Sequence, residues 1–134
     1  MAEIDFVIMA DYVRLDSGIL NIVGGGFDQI QASVVPTGQA IGLGMRFLFT
    51  RPECGRPHEF RIIFADERAQ PLLQVLHTIN PEVPPGHEPG TTIGFTVNAN
   101  LVVPLPDYGV FTFEILLDGV SMKSTRLRVV PPSS

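Results

Sequence analysis

Apolar and polar positions alternate with a period of two along most of the chain. Ile41, Leu43, Met45, Phe47 and Phe49 fall on one side, with Gly42, Gly44, Arg46 and Thr50 on the other. Such alternation places successive side chains on opposite faces of a β-strand. Phe60, Ile62 and Phe64 repeat it against Glu59 and Arg61, and Phe111, Phe113, Ile115 and Leu117 repeat it against Thr112 and Glu114. The clearest stretch sets Ile93, Phe95, Val97, Ala99, Leu101 and Val103 against Thr92, Gly94, Thr96, Asn98 and Asn100. Asp118-Gly119 then supplies a two-residue hairpin signal leading into Val120–Val130. Within that last strand Val120 and Met122 are even-numbered while Leu127 and Val129 are odd, which predicts a bulge near Lys123–Thr125.

The first half alternates less cleanly. Ile4–Val13 is apolar in both registers, as in a strand covered on both faces. Gly18–Val23 and Phe27–Val34 read as two strands joined through Gly24-Gly25-Gly26, and Leu72–Ile79 as another with an ambiguous inner face. No segment carries a capped helical pattern of useful length. The prediction is therefore all-β: a single domain over residues 1–134, an antiparallel sandwich of eight to nine strands, immunoglobulin-like or C2-like. Pro81–Gly90 is the main exposed loop and Pro131–Ser134 a frayed tail.

Composition changes this picture in one respect. With 134 residues and 45% hydrophobic positions, the chain buries a core without metal or disulfide. Thirteen glycines and twelve prolines suit many short turns. Only 17% of residues are charged, against about 25% in typical soluble domains, so apolar surface is expected outside the core, covered by a partner or a second copy. The plain alternative is a packed monomer with Thr, Asn and Gln on its surface. A net charge of −5 without a basic run argues against nucleic-acid binding and against anionic membranes. The longest uncharged run, Gln29–Met45, is interrupted by Pro36 and polar residues, so no membrane span is expected. One cysteine, Cys54, excludes an intrachain disulfide, and the acidic start Glu3-Ile4-Asp5 lacks the basic opening of a secretory signal. The expectation is a soluble cytoplasmic protein.

Candidate chemistry is sparse. The triple glycine lacks the Gly-Lys-Ser/Thr helix start of a phosphate loop, and it reads as a bend with positive φ. Asp11 and Asp16 bracket the first turn, with Asp28, Asp66 and Asp107 near other strand ends; Asp11, Asp16 and Asp28 are the weak candidates for a calcium site. No Asp-x-Asp run accompanies them, and lone aspartates in turns usually hold backbone amides. His58, His77 and His87 match no zinc spacing. His58 and His87 read as solvated, and His77 as half-buried on a strand. Cys54 has Arg51 and Arg56 nearby but no other feature that activates a thiol, and no serine sits in a Gly-x-Ser-x-Gly elbow. Tyr108 before the Phe111 strand is reminiscent of a tyrosine corner, a structural tie.

Ala10-Asp11-Tyr12, Asp16-Ser17-Gly18, Leu20-Asn21-Ile22 and Gly24-Gly25-Gly26-Phe27-Asp28 resemble the opening of a bacterial domain-of-unknown-function family. Arg56-Pro57-His58-Glu59-Phe60 and the closing Tyr108–Val129 hairpin look similar to it as well, so the resemblance covers nearly the whole chain. Family members often carry Trp where this chain has Phe27. The resemblance implies a small bacterial β-sandwich and brings no catalytic residue or cofactor.

The expected function is non-enzymatic: contact with another protein or self-assembly into a homo-oligomer through a sheet face or edge. The first rival is a small-ligand or glycan-binding module using end loops such as Pro81–Gly90, which has no aromatic side chain to stack on a sugar. The second is a structural component of a phage or secreted assembly.

Overall fold

The computed structural model describes residues 2–133. Ten strands follow one another: β1 Glu3–Ala10, β2 Tyr12–Asp16, β3 Ile19–Val23, β4 Gln29–Gln31, β5 Thr37–Phe49, β6 His58–Ala65, β7 Pro71–Ile79, β8 Ile93–Leu105, β9 Gly109–Leu117 and β10 Val120–Val130. A single 3-10 turn, Arg51–Glu53, stands between β5 and β6. No helix among the described residues is long and apolar enough to cross a membrane.

The strands make a three-stranded sheet, β1-β5-β8, a five-stranded sheet, β4-β10-β9-β6-β7, and a separate hairpin, β2-β3. The alternation read from the sequence decides what lies between the two larger sheets. Ile41, Leu43, Met45, Phe47 and Phe49 of β5 are buried, as are Phe60, Ile62 and Phe64 of β6 and Phe111, Phe113 and Ile115 of β9, and all belong to one apolar cluster. Phe64 stacks on Phe111 with centroids 5.2 Å apart and tilts against Phe113 at 4.8 Å. Each such side chain contributes about 1.5–3 kcal/mol by leaving water, so this seam holds the sheets together.

Several expectations change. Ile4–Val13 is two strands, because the chain bends at Asp11 and β2 leaves the sheet that β1 belongs to. Phe27–Val34 shortens to Gln29–Gln31, and that strand runs parallel to β10, so the sheets are not wholly antiparallel. The bulge falls between Ser121 and Lys123, just before the expected site, making Met122 the extra residue. Gly24 and Gly26 do adopt positive φ, +65° and +90°, and the Gly26 N–H donates to the Met9 carbonyl, closing the bend after β3. Pro131–Ser133 carry no regular structure, and Ser134 lies outside the described residues.

The hairpin lies across the outer face of the three-stranded sheet. Gly42 and Gly44 of β5 make room for it: a β-carbon on Gly42 would stand 2.9 Å from the Val13 amide nitrogen, and one on Gly44 2.7 Å from a Leu20 methyl. Asn100 of β8 holds it in place. Its Oδ1 accepts from the Val13 N–H at 3.0 Å and its Nδ2 donates to the Val13 carbonyl at 2.8 Å. A side-chain amide here stands in for one rung of a β-ladder.

Candidate functional site

The turn Ser17-Gly18 closes the hairpin with positive φ at both positions, 49° and 77°, as a two-residue type I′ turn requires. The pairs are Tyr12 with Val23, Val13 with Ile22, Arg14 with Asn21, Leu15 with Leu20 and Asp16 with Ile19. Facing pairs share a face, so Val13, Leu15, Leu20 and Ile22 look inward while Tyr12, Arg14, Asp16, Ile19, Asn21 and Val23 look outward. Val13 is fully buried. Outside, Ile19 is 67% exposed, Val23 58% and Tyr12 50%, and the edges of Leu15 and Ile22 also reach solvent. Nine large apolar side chains are exposed among the described residues, and five of them belong to this hairpin. Arg14 and Asp16 pair at 2.8 Å on the same surface.

A second concave region lies on the outer face of the five-stranded sheet. A groove of about 660 Å³ runs over Ile63, Ala65, Val110 and Thr112, with Glu114 and Arg126 at its sides. It meets a smaller hollow lined by Asp28, Gln29, Arg126 and Arg128. No aromatic ring lines the groove, so it offers no stacking surface for a sugar.

The titratable side chains named from sequence lie apart. No three His, Cys, Asp or Glu groups among the described residues come close enough to share a metal ion. Asp11 packs against Gly24, Asp16 pairs with Arg14, and Asp28 shares its hollow with two arginines, whose charge opposes a cation. Asp66 accepts from the amides of Arg68 and Gln70, both at 2.9 Å, and Asp107 from that of Tyr108 at 2.7 Å, the turn role that lone aspartates usually take. Cys54 is half-buried and donates weakly to the Thr50 carbonyl at 3.6 Å. Burial and the neighbouring Glu53 charge raise its pKa, so it is a protonated thiol near neutral pH.

The histidines overturn their reading. His58, expected in solvent, is 3% exposed, a buried polar side chain within the core. His77, expected half-buried, is exposed and lies edge-on to Phe60 at 5.6 Å. His87 is half-buried beside Thr91, whose Oγ1 is 2.9 Å from its Nε2. His58 meets two acceptors: Nδ1 donates to Asp118 Oδ2 at 2.6 Å and Nε2 to the Glu53 carbonyl at 2.6 Å. Two acceptors are both satisfied only when both ring nitrogens carry protons, so these contacts favour the imidazolium. Burial alone would lower its pKa, but the bonds to Asp118 and Glu53 and the Asp118 charge outweigh that and raise it. Asp118 shifts the opposite way: burial would raise its pKa, but bonds from His58 and the Glu59 amide lower it. With both ring nitrogens engaged and its ring sealed from solvent, His58 ties the 3-10 turn to the β9–β10 turn, while the carboxylate of Asp118 stays half exposed.

Tyr108 is the structural tie expected of it, with a distant partner. Its hydroxyl donates to the Ala32 carbonyl at 3.0 Å, across 76 positions, whereas a tyrosine corner bonds within its own neighbourhood.

Sequence reasoning missed Asn100, which looks like any outward polar residue of an alternating strand, and it missed the partnership of Asp118 with His58. It also left β2 and β3 unpaired, although Ser17-Gly18 is a recognisable turn dipeptide. A search of the curated proteins finds no match. The family described as being of unknown function, DUF6941, matches residues 5–130, and the chain belongs to that family.

Proposed function

We propose that this protein is a non-enzymatic contact module whose working surface is the outer face of the β2–β3 hairpin. The observation that carries the reading is the gathering of exposed apolar side chains on one short hairpin, with Tyr12, Ile19 and Val23 on its outer face, when β2 and β3 make up a small part of the chain. Apolar side chains gathered on one exposed surface mark interaction sites more often than ones scattered singly. The hairpin is also rigidly mounted, by the Asn100 bonds beneath it and by Leu20 packed on Gly44, so little order is lost when a partner covers it. The low share of charged residues agrees with such a surface.

The test compares the wild-type chain with Ile19→Asp and Val23→Asp, whose side chains point away from the core. Native mass spectrometry of protein gently purified from its own host is expected to show a bound polypeptide, another copy or a different chain. Either substitution is expected to remove it while leaving the melting temperature nearly unchanged. A bare mass of 14.6 kDa at every concentration, with no polypeptide recovered, would sink the reading. So would an assembly indifferent to both substitutions.

A further inference from the structure

β3 is an unprotected sheet edge. It pairs with β2 on one side only, and no other ladder among the described residues uses its second side. Sheet edges normally carry a charge, a proline, a bulge or very short length to discourage pairing with another chain. β4 has three residues, β1 carries Glu3, Asp5 and a register irregularity, and β8 carries Pro104. β3 reads Ile19-Leu20-Asn21-Ile22-Val23 and has none of these protections.

The backbone polarity of that edge follows from two independent observations. A two-residue turn makes Asp16–Ile19 a hydrogen-bonded pair, so Arg14–Asn21 and Tyr12–Val23 are bonded pairs while Val13–Ile22 and Leu15–Leu20 are not. The Asn100 amide agrees, since it takes both the N–H and the C=O of Val13 from the side away from β3. The N–H and C=O groups of Leu20 and Ile22 therefore point outward from the free edge of β3.

Resting on the reading of the hairpin as a contact surface, we propose that its occupant is a second copy of this chain, joined β3 to β3 in antiparallel register about a two-fold axis at Asn21. The sequence of β3 is a palindrome of character: two apolar residues, an amide, two apolar residues. In this register Leu20 and Ile22 of one copy exchange four backbone hydrogen bonds with Ile22 and Leu20 of the second. Ile19 packs beside the second copy's Val23, Leu20 beside its Ile22, and the two Asn21 side chains meet on the axis as a non-bonded pair. Side-chain amides donate and accept, so they pair with their own kind. The two hairpins become one four-stranded sheet, and the exposed Ile19 and Val23 gain apolar neighbours. β7 also lacks a charge, but it opens on Pro71 and is not self-complementary: about Val75, Leu73 would face His77 and Gln74 would face Leu76. Five residues a side span about 17 Å, a contact at the small end of interfaces, below about 1,200 Å², so the dimer is concentration-dependent.

Sedimentation velocity and native mass spectrometry on the full chain, from micromolar to millimolar, test this with Asn21→Lys and Asn21→Asp. The wild type is expected to move from 14.6 kDa to twice that mass. Each charged variant, placing like charges together on the axis, is expected to associate at least about tenfold more weakly. Mixing the two variants is expected to restore a heterodimer. Asn21→Cys in a Cys54→Ser background adds a covalent readout, because non-bonded antiparallel pairs stand about 4.5 Å apart between α-carbons, within disulfide reach. It is expected to form a disulfide-linked dimer on mild oxidation, which Leu20→Cys does not. A wild type that stays monomeric and an Asn21→Cys chain that does not cross-link overturn the second copy as occupant. If hairpin variants such as Ile19→Asp then still lose a different bound polypeptide, the contact reading stands without self-pairing; if nothing is bound or lost, both fall. A dimer that ignores the charge at residue 21 overturns the axis.

Discussion

A histidine closed off from water meets a carboxylate from the β9–β10 turn. The pair adds stability only where both partners are charged in the fold. His58 has a raised pKa, so its contribution is complete below the unfolded value of about 6.5 and is lost as pH rises through the higher folded value. Asp118 has a lowered pKa, so its contribution is present above about 3.9 and is lost as pH falls through the lower folded value. Asp118→Asn is therefore expected to cost about 1 kcal/mol between roughly pH 4 and 6.5, because it leaves a buried proton donor less well matched while solvent screens the half-exposed carboxylate it replaces. The cost shrinks on either side, and urea midpoints of wild type and variant from pH 3 to 9 check it. None of this was legible in the sequence. Pro57-His58-Glu59 looks like a polar strand start, and the fate of His58 is decided by Asp118, 60 positions away. Asp118-Gly119 did announce its turn, and Asp118 takes the positive φ of 51° that the turn needs, yet no local pattern shows where the free carboxylate will point.

At the scale of elements, period-two alternation located β5, β6, β8, β9 and β10 because each has one face on the core. It failed where neither face is simply core or solvent. β1 and β2 read as one strand, since β2 is covered from below by a sheet instead of pairing within it. β5 shows how a hidden neighbour is written into a sequence: Gly42 and Gly44, on the side away from the core, are the bed of the hairpin. A glycine-to-alanine change in a strand ordinarily stabilises by about 0.5–1 kcal/mol. Gly42→Ala is expected to reverse that sign, because the new methyl meets the backbone at Val13 and Tyr12 and the Asn100 amide, and overpacking costs about 1–3 kcal/mol. Gly44→Ala is expected to cost less, since it meets only the movable end of Leu20. Hydrogen exchange separates the two: the Gly42→Ala chain should lose protection across residues 12–23 while the β6 and β9 amides remain slow.

For the whole molecule, the all-β class was legible from the sequence, and the order of strands was not, because β4 with β10 and β1 with β5 join segments far apart in the chain. Net charge acts at this scale too. Each copy carries −5, and the proposed contact is built of uncharged side chains, so electrostatics opposes pairing without contributing to it. Raising the salt from about 50 to 500 mM is expected to tighten self-association severalfold, as the Debye length shrinks from over 10 Å to under 5 Å. Weakening with salt, read by sedimentation equilibrium, would contradict an uncharged axis. The hairpin, finally, rests on the packed sheets without being woven into either of the two larger ones. Its attachments are inward ones: the Val13 backbone on Asn100 and Leu20 on Gly44. The outward positions 12, 14, 16, 19, 21 and 23 owe nothing to the core. They behave as an exchangeable cassette, which can be rewritten for a different occupant while the scaffold below folds as before.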